Sequence, residues 1–139
     1  MKPALCLATL ILVVCSRPLL ACSCAPQTTA QLLTSSSNVF LATATNVTFI
    51  DQDQPNIEPR IKVQFAEPEK KWKGKAVSKL QTVFNKSTCN GFAFEATKRY
   101  LVFAYKEDGE TKVGACTVFL NAETISTKSA ELDALAPPQ

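Results

Sequence analysis

The chain has 139 residues, enough for one domain, and contains no histidine. Without an imidazole, Ser–His–Asp and Cys–His nucleophilic catalysis and any histidine-ligated metal site are excluded. The net charge of +3 at pH 7 falls to +1 when Lys2 and Arg17 leave with the leader described next, a balance that argues against nucleic acid or an anionic membrane as main partner.

Residues 1–21 read as a secretory signal peptide. Lys2 gives a positive start, Ala4 to Cys15 is apolar apart from Thr9, and Ser16-Arg17-Pro18 breaks the run before Leu19-Leu20-Ala21. The run is shorter than the roughly 20 residues a bilayer span needs. No later stretch has the length and apolarity to span one either. Cleavage after Ala21 leaves 118 of the 139 residues, with Cys22 first.

Cys6 and Cys15 belong to the leader, so four cysteines remain: Cys22, Cys24, Cys89 and Cys116. An even number in an exported chain implies disulfides. Cys22 with Cys24 would close a strained ring, which leaves two pairings, both closing long loops. Each such bond contributes up to roughly 4–5 kcal/mol by loop entropy, which matters for a domain of this size.

Along the mature chain, Pro26 biases Ala25 to an extended conformation, so the new N-terminus is predicted to be a straight arm. Cys22 and Cys24, two apart, then face the same side. Thr28 to Leu33 is predicted as a short helix. Asn38 to Val47 is the first predicted strand, and Ile61 to Phe65 is the second, with Ile61, Val63 and Phe65 facing inward. Asp51 to Pro59 between them is polar, holds Pro55 and Pro59, and reads as a loop. Lys70-Lys71-Trp72-Lys73 reads as a solvated loop. Val77 to Phe84, Tyr100 to Tyr105 and Thr111 to Phe119 are three further predicted strands, the last holding Cys116. Asp108-Gly109 marks a hairpin between the last two. Thr124 to Leu135 reads as an amphipathic helix with Ile125, Leu132 and Leu135 apolar, ended by Pro137 and Pro138. Five strands and a terminal helix suggest a mainly β fold, a small closed barrel.

Two carboxylate pairs, Glu67 with Glu69 and Glu107 with Asp108, lie in predicted loops beside Lys70, Lys71 and Lys106, and read as solvated turn residues rather than a catalytic dyad. The chain is accordingly read as a non-enzyme without cofactor. The distinctive chemistry lies at Cys22. A free α-amine has a pKa of about 7.7–8.0, so part of it is neutral at physiological pH. Its nitrogen and the same residue's carbonyl oxygen can close a five-membered chelate on a metal, and catalytic zinc keeps one position open for water. A tethered arm is effective here because ordering a loose tail costs affinity. Leu19-Leu20-Ala21-Cys22 also fits a bacterial lipobox, whose lipidated cysteine would anchor the chain to a membrane. Lipidation would leave Cys89 unpaired, and the even mature cysteine count argues against it.

Cys22-Ser23-Cys24-Ala25-Pro26 after a leader resembles the mature start of the tissue inhibitors of metalloproteinases. Asn38-Val39-Phe40-Leu41-Ala42 resembles that family's first barrel strand. Ile61 to Gly74, ending in Trp72-Lys73-Gly74, resembles its second strand and the turn beyond. Cys89-Asn90-Gly91, Tyr100 to Ala104 and Cys116-Thr117 resemble later landmarks. The resemblance implies a netrin-like domain over 22–136 with a five-stranded OB-type barrel, followed by a tail at 137–139. It implies the pairs Cys22–Cys89 and Cys24–Cys116. It implies a secreted, extracellular, monomeric inhibitor of zinc metalloproteinases of the matrix type. In that role the Cys22 amine and carbonyl chelate the protease zinc, and Ser23 enters the primed-side pocket. Cys24, Ala25 and Pro26 line the cleft, and Ser87 and Thr88 fill the unprimed side. The chain departs from the family's larger members in three ways: it stops before their second domain, Thr34 replaces a further cysteine, and Asn90 is inserted between Cys89 and Gly91. The alternative functions are a netrin-like binding module without a protease target and a lipid-anchored bacterial envelope protein of the same fold. Asn46-Val47-Thr48 and Asn85-Lys86-Ser87 are glycosylation acceptors if the source is eukaryotic.

Overall fold

The computed structural model of the chain describes residues 23–85 and 90–138, so residues 1–21, read from the sequence as a leader, lie outside it. In chain order the elements are α1 (Thr29–Ser35), β1 (Asn38–Ile50), β2 (Arg60–Phe65), β3 (Lys70–Lys73), β4 (Lys79–Asn85), β5 (Asn90–Gly91), β6 (Arg99–Glu107), β7 (Glu110–Lys112), β8 (Val118–Phe119) and α2 (Ala122–Leu135). The protein is mainly β, with two helices, as its strand-forming segments predict.

The first five residues of β1 are all buried, because both faces of this strand are covered. Alternation sends Phe40, Ala42 and Ala44 to one side, where they meet Ile61, Val63, Phe65, Tyr100 and Val102. Val39 and Leu41 point the other way and join Trp72, Leu101 and Phe103 beneath Leu32 of α1 and Ile125 and Leu132 of α2. One core therefore fills the concave side of the sheet and a second lies between the sheet and the helices. Strand β6 divides its side chains in the same way, which accounts for its unbroken apolar run from Tyr100 to Ala104.

The strands are antiparallel and ordered β5-β4-β2-β1-β6-β7, with β3 also paired to β1 and β8 to β6. The sheet curls so that β4, which lies beside the short end strand β5, and β7, at the other end of the order, bring Cα atoms within 8 Å. No ladder joins them among the described residues. The expected closed five-stranded barrel is thus corrected to a curled half-barrel of eight strands. One cause is the brevity of β7, three residues before the chain turns away.

The segment Thr111 to Phe119 is not one strand. Tyr105 pairs with Lys112, and Val102 pairs with Val118, so the five residues 113–117 oppose only Phe103 and Ala104. The excess forms a turn in which the Thr117 hydroxyl accepts the Gly114 N–H at 2.9 Å. Cys116 sits in this turn rather than in a strand. Lys70-Lys71-Trp72-Lys73 is likewise strand β3 and not a solvated loop. Trp72 is 2% exposed, and its indole N–H donates to Asp133 on α2 at 2.7 Å.

Other expectations hold. Asp108 and Gly109 have φ of 53° and 80°, the left-handed pair a two-residue hairpin requires, between Glu107 and its partner Glu110. Ile61, Val63 and Phe65 are buried, and Asp51 to Pro59 contains no strand. Of the apolar residues expected on α2, Ile125 and Leu132 are buried, whereas Leu135, in its last turn, is 52% exposed.

Candidate functional site

Residues 23–28 form an arm without regular structure, and all six are exposed. Ser23, Cys24, Ala25 and Pro26, four of the residues singled out from the sequence, therefore lie together on the surface. The arm is fixed at two points. At Cys24 a disulfide to Cys116 sets the Cα atoms 5.5 Å apart. That turn is itself held to the sheet, because the Thr117 carbonyl accepts the Phe103 N–H at 2.8 Å.

The second fixed point is the start of α1. The Thr28 hydroxyl accepts the Gln31 N–H at 3.2 Å, and the Gln31 side chain accepts the Thr28 N–H at 2.8 Å, a reciprocal capping box. Thr29, 3% exposed, donates its hydroxyl to Glu131 of α2 and accepts from Lys128 at 3.4 Å. At the other end of α1, the Lys73 ammonium donates to the Leu33 carbonyl at 2.8 Å, satisfying a group that a helix terminus leaves open. Between Cys24 and Thr28 the chain has little freedom, since Pro26 fixes its own φ and restricts Ala25.

Nothing in the sequence singles out Thr29, Glu131 or Lys128, and Lys73 reads there only as part of a basic run and of the Trp72-Lys73-Gly74 turn. The Thr28-x-x-Gln31 spacing is a signal that finds the cap, but nothing local announces a contact between residues 29 and 131. The positions Cys22, Ser87, Thr88 and Cys89, and the pair Cys22–Cys89, lie outside the described residues. The root of the hairpin that carries Ser87 to Cys89 is described: Asn85 pairs with Asn90 and Phe84 with Gly91. Gly91 has φ +70°, and a Cβ there would collide with the Val83 carbonyl, so this position requires glycine.

A cleft of about 640 Å³ follows the gap between β4 and β7. Val83 and Gly91 line one wall, and Val113 and Gly114 line the other. The root of the β4–β5 hairpin thus faces the turn that binds Cys24 through Cys116.

Of the four carboxylates weighed as acid–base pairs, Glu69 and Glu107 are engaged in surface ion pairs. Glu69 receives the Arg99 guanidinium at 2.9 and 2.6 Å, which raises the Arg99 pKa, and Glu107 receives Lys112 at 2.7 Å. Asp108 occupies a hairpin turn and Glu67 is exposed. Among the described residues no group of three or more Cys, Asp or Glu is placed to hold a metal ion. What the site offers is an exposed, doubly anchored strand of backbone. No protein-family model matches the chain, and no curated protein matches it.

Proposed function

We propose that the chain is an exported protein inhibitor of zinc metalloendopeptidases, acting through a mature N-terminus at Cys22 carried on a netrin-like, partly open OB-type barrel. The observation that carries this reading is the Cys24–Cys116 bond. Of the two pairings open from the residues, this bond belongs to the one implied by the resemblance to the tissue inhibitors of metalloproteinases. With Cys6 and Cys15 removed in the leader, Cys22 and Cys89 are left as each other's only intramolecular partners. Such a bond would tie the first mature residue to the β4–β5 hairpin, as Cys24 is tied to the turn before β8.

In this reading the neutral Cys22 amine and its carbonyl oxygen take the coordination position of the catalytic water on the protease zinc. Ser23 enters the adjacent primed-side pocket, Cys24 to Pro26 run along the cleft, and Ser87 and Thr88 occupy the unprimed side. The anchored arm supports the reading physically, because a segment held before docking loses little entropy on binding. The protein acts outside the cell, as a monomer and without a cofactor of its own.

The test is inhibition of a panel of zinc metalloproteinases by oxidised protein beginning at Cys22, beside the same protein acetylated at its α-amine. Acetylation removes the nitrogen lone pair and leaves the fold intact, so tight inhibition should be lost. Undiminished potency after acetylation overturns the chelation mechanism. No inhibition by the unmodified protein across the panel assigns the fold instead to a binding module.

A further inference from the structure

Asn46 and Thr48 belong to the stretch of β1 beyond Ala44, where, among the described residues, the strand pairs with β2 alone. The register shifts between Ala44 and Asn46, leaving Thr45 as the extra residue of a bulge. After the bulge, Val47 packs against the inner core. Residues two apart on a strand share a face, so Asn46 and Thr48 both point away from that core, and both are exposed. The Asn-x-Ser/Thr pattern needs both groups at once, the asparagine amide as acceptor and the hydroxyl two residues on. A register one residue different would have turned the pair inward, where a glycan could not be housed.

We propose that Asn46 is an N-glycosylated residue of the exported protein. The co-reactant is an oligosaccharide on a lipid diphosphate. The bond between its anomeric carbon and the donor phosphate breaks, an N-glycosidic bond to the Asn46 amide nitrogen forms, one amide proton is lost, and the lipid diphosphate departs. The proposal rests on the reading of residues 1–21 as an export signal and on a eukaryotic source, and is independent of protease inhibition. A glycan on this face also flanks the edge of β1 over residues 45 to 50, along which no second ladder is found among the described residues. Bulky polar cover on such an edge hinders pairing with the strands of other molecules.

The experiment expresses the full 139-residue chain, with its own leader, in eukaryotic secretory cells. Secreted protein is treated with peptide N-glycosidase and mapped by mass spectrometry. The expected result is a mobility shift on treatment and conversion of Asn46 to aspartate. N46Q and T48A should both lose the Asn46 modification, and T48S should retain it. Recovery of the Asn46 peptide unmodified from untreated secreted protein overturns the proposal. So does a shift that persists in N46Q and disappears in N85Q, or failure of the chain to enter the secretory pathway. Occupancy is read by mass alone, so a negative protease panel leaves this result unaffected.

Discussion

Asp133 accepts two hydrogen bonds from strand β3, one from the Lys70 ammonium at 2.6 Å and one from the Trp72 indole at 2.7 Å. Lys70 first, and Trp72 second, stabilise the charged form and lower the pKa of this carboxyl. Asp133 lies near the C-terminus of α2, where the helix dipole disfavours an anion, so these donors decide that the carboxylate belongs there. The sign follows from linkage. A lowered folded pKa contributes stability that is present above the unfolded value, about 3.9, and is lost as pH falls through the folded one. Thermal unfolding followed from pH 6 to pH 2 should therefore show destabilisation beginning near pH 4, and D133N should make that acid slope shallower. An unchanged slope in D133N would mean that other carboxylates carry all the acid sensitivity. Trp72 also shows where residue-level reading fails. Three lysines in a run of four suggest a solvated loop, yet the indole is the part that packs. The charged ends of Lys70 and Lys73 reach Asp133 and the carbonyls at the end of α1 instead.

At the scale of elements, the segments read most accurately are those whose signals are local. Asp108-Gly109 needs only its own backbone preference, and Ile61 to Phe65 only its alternation. The segment from Thr111 to Phe119 misled because its apolar residues continue through Gly114, and the turn there is set by the mismatch with β6, which is invisible in one strand. Cysteine counting placed Cys24 and Cys116 among the disulfide candidates, but that they pair with each other depends on where the β7–β8 turn lies. Docking of α1 was equally hidden. Its local cap is legible, whereas its attachment to α2 through Thr29 and Glu131 joins residues 102 apart. That attachment makes a specific demand. Thr29→Val keeps the shape and removes the hydroxyl, leaving Glu131 without this donor. Urea unfolding should then show a loss of about 1.5–3 kcal/mol, the range of a hydrogen bond to a charged group. If the arm acts as proposed, the variant should also release a bound protease faster, since α1 is one of the arm's two supports. Parental stability in T29V would show that the Thr29 hydroxyl adds nothing to what the packing of Leu32 and the Lys73 contact already supply.

For the whole molecule, the question is how far the curled sheet behaves as a barrel. Strand β1 lies at its centre, bonded to neighbours on both edges and buried on both faces. Strands β4 and β7 lie at the gap, each with one laddered edge over most of its length. Amide protection depends on the least costly opening that frees a hydrogen bond. Amides of Val39 to Ala42 should therefore exchange only through global unfolding, while those on the gap-facing edges of β4 and β7 should exchange orders of magnitude faster. Equal protection would mean that the two strands zip together in solution and the barrel is closed. The gap also has a bearing on the proposed site. Its walls continue into the β4–β5 hairpin on one side and the Cys116 turn on the other, so opening it would separate the two anchors proposed for Cys22 and observed for Cys24. Exchange measured with a bound metalloproteinase tests that link. Protection spreading from the arm to the gap edges would show the protease bracing both anchors at once, and protection confined to residues 23–28 would show an arm that docks without the barrel's participation.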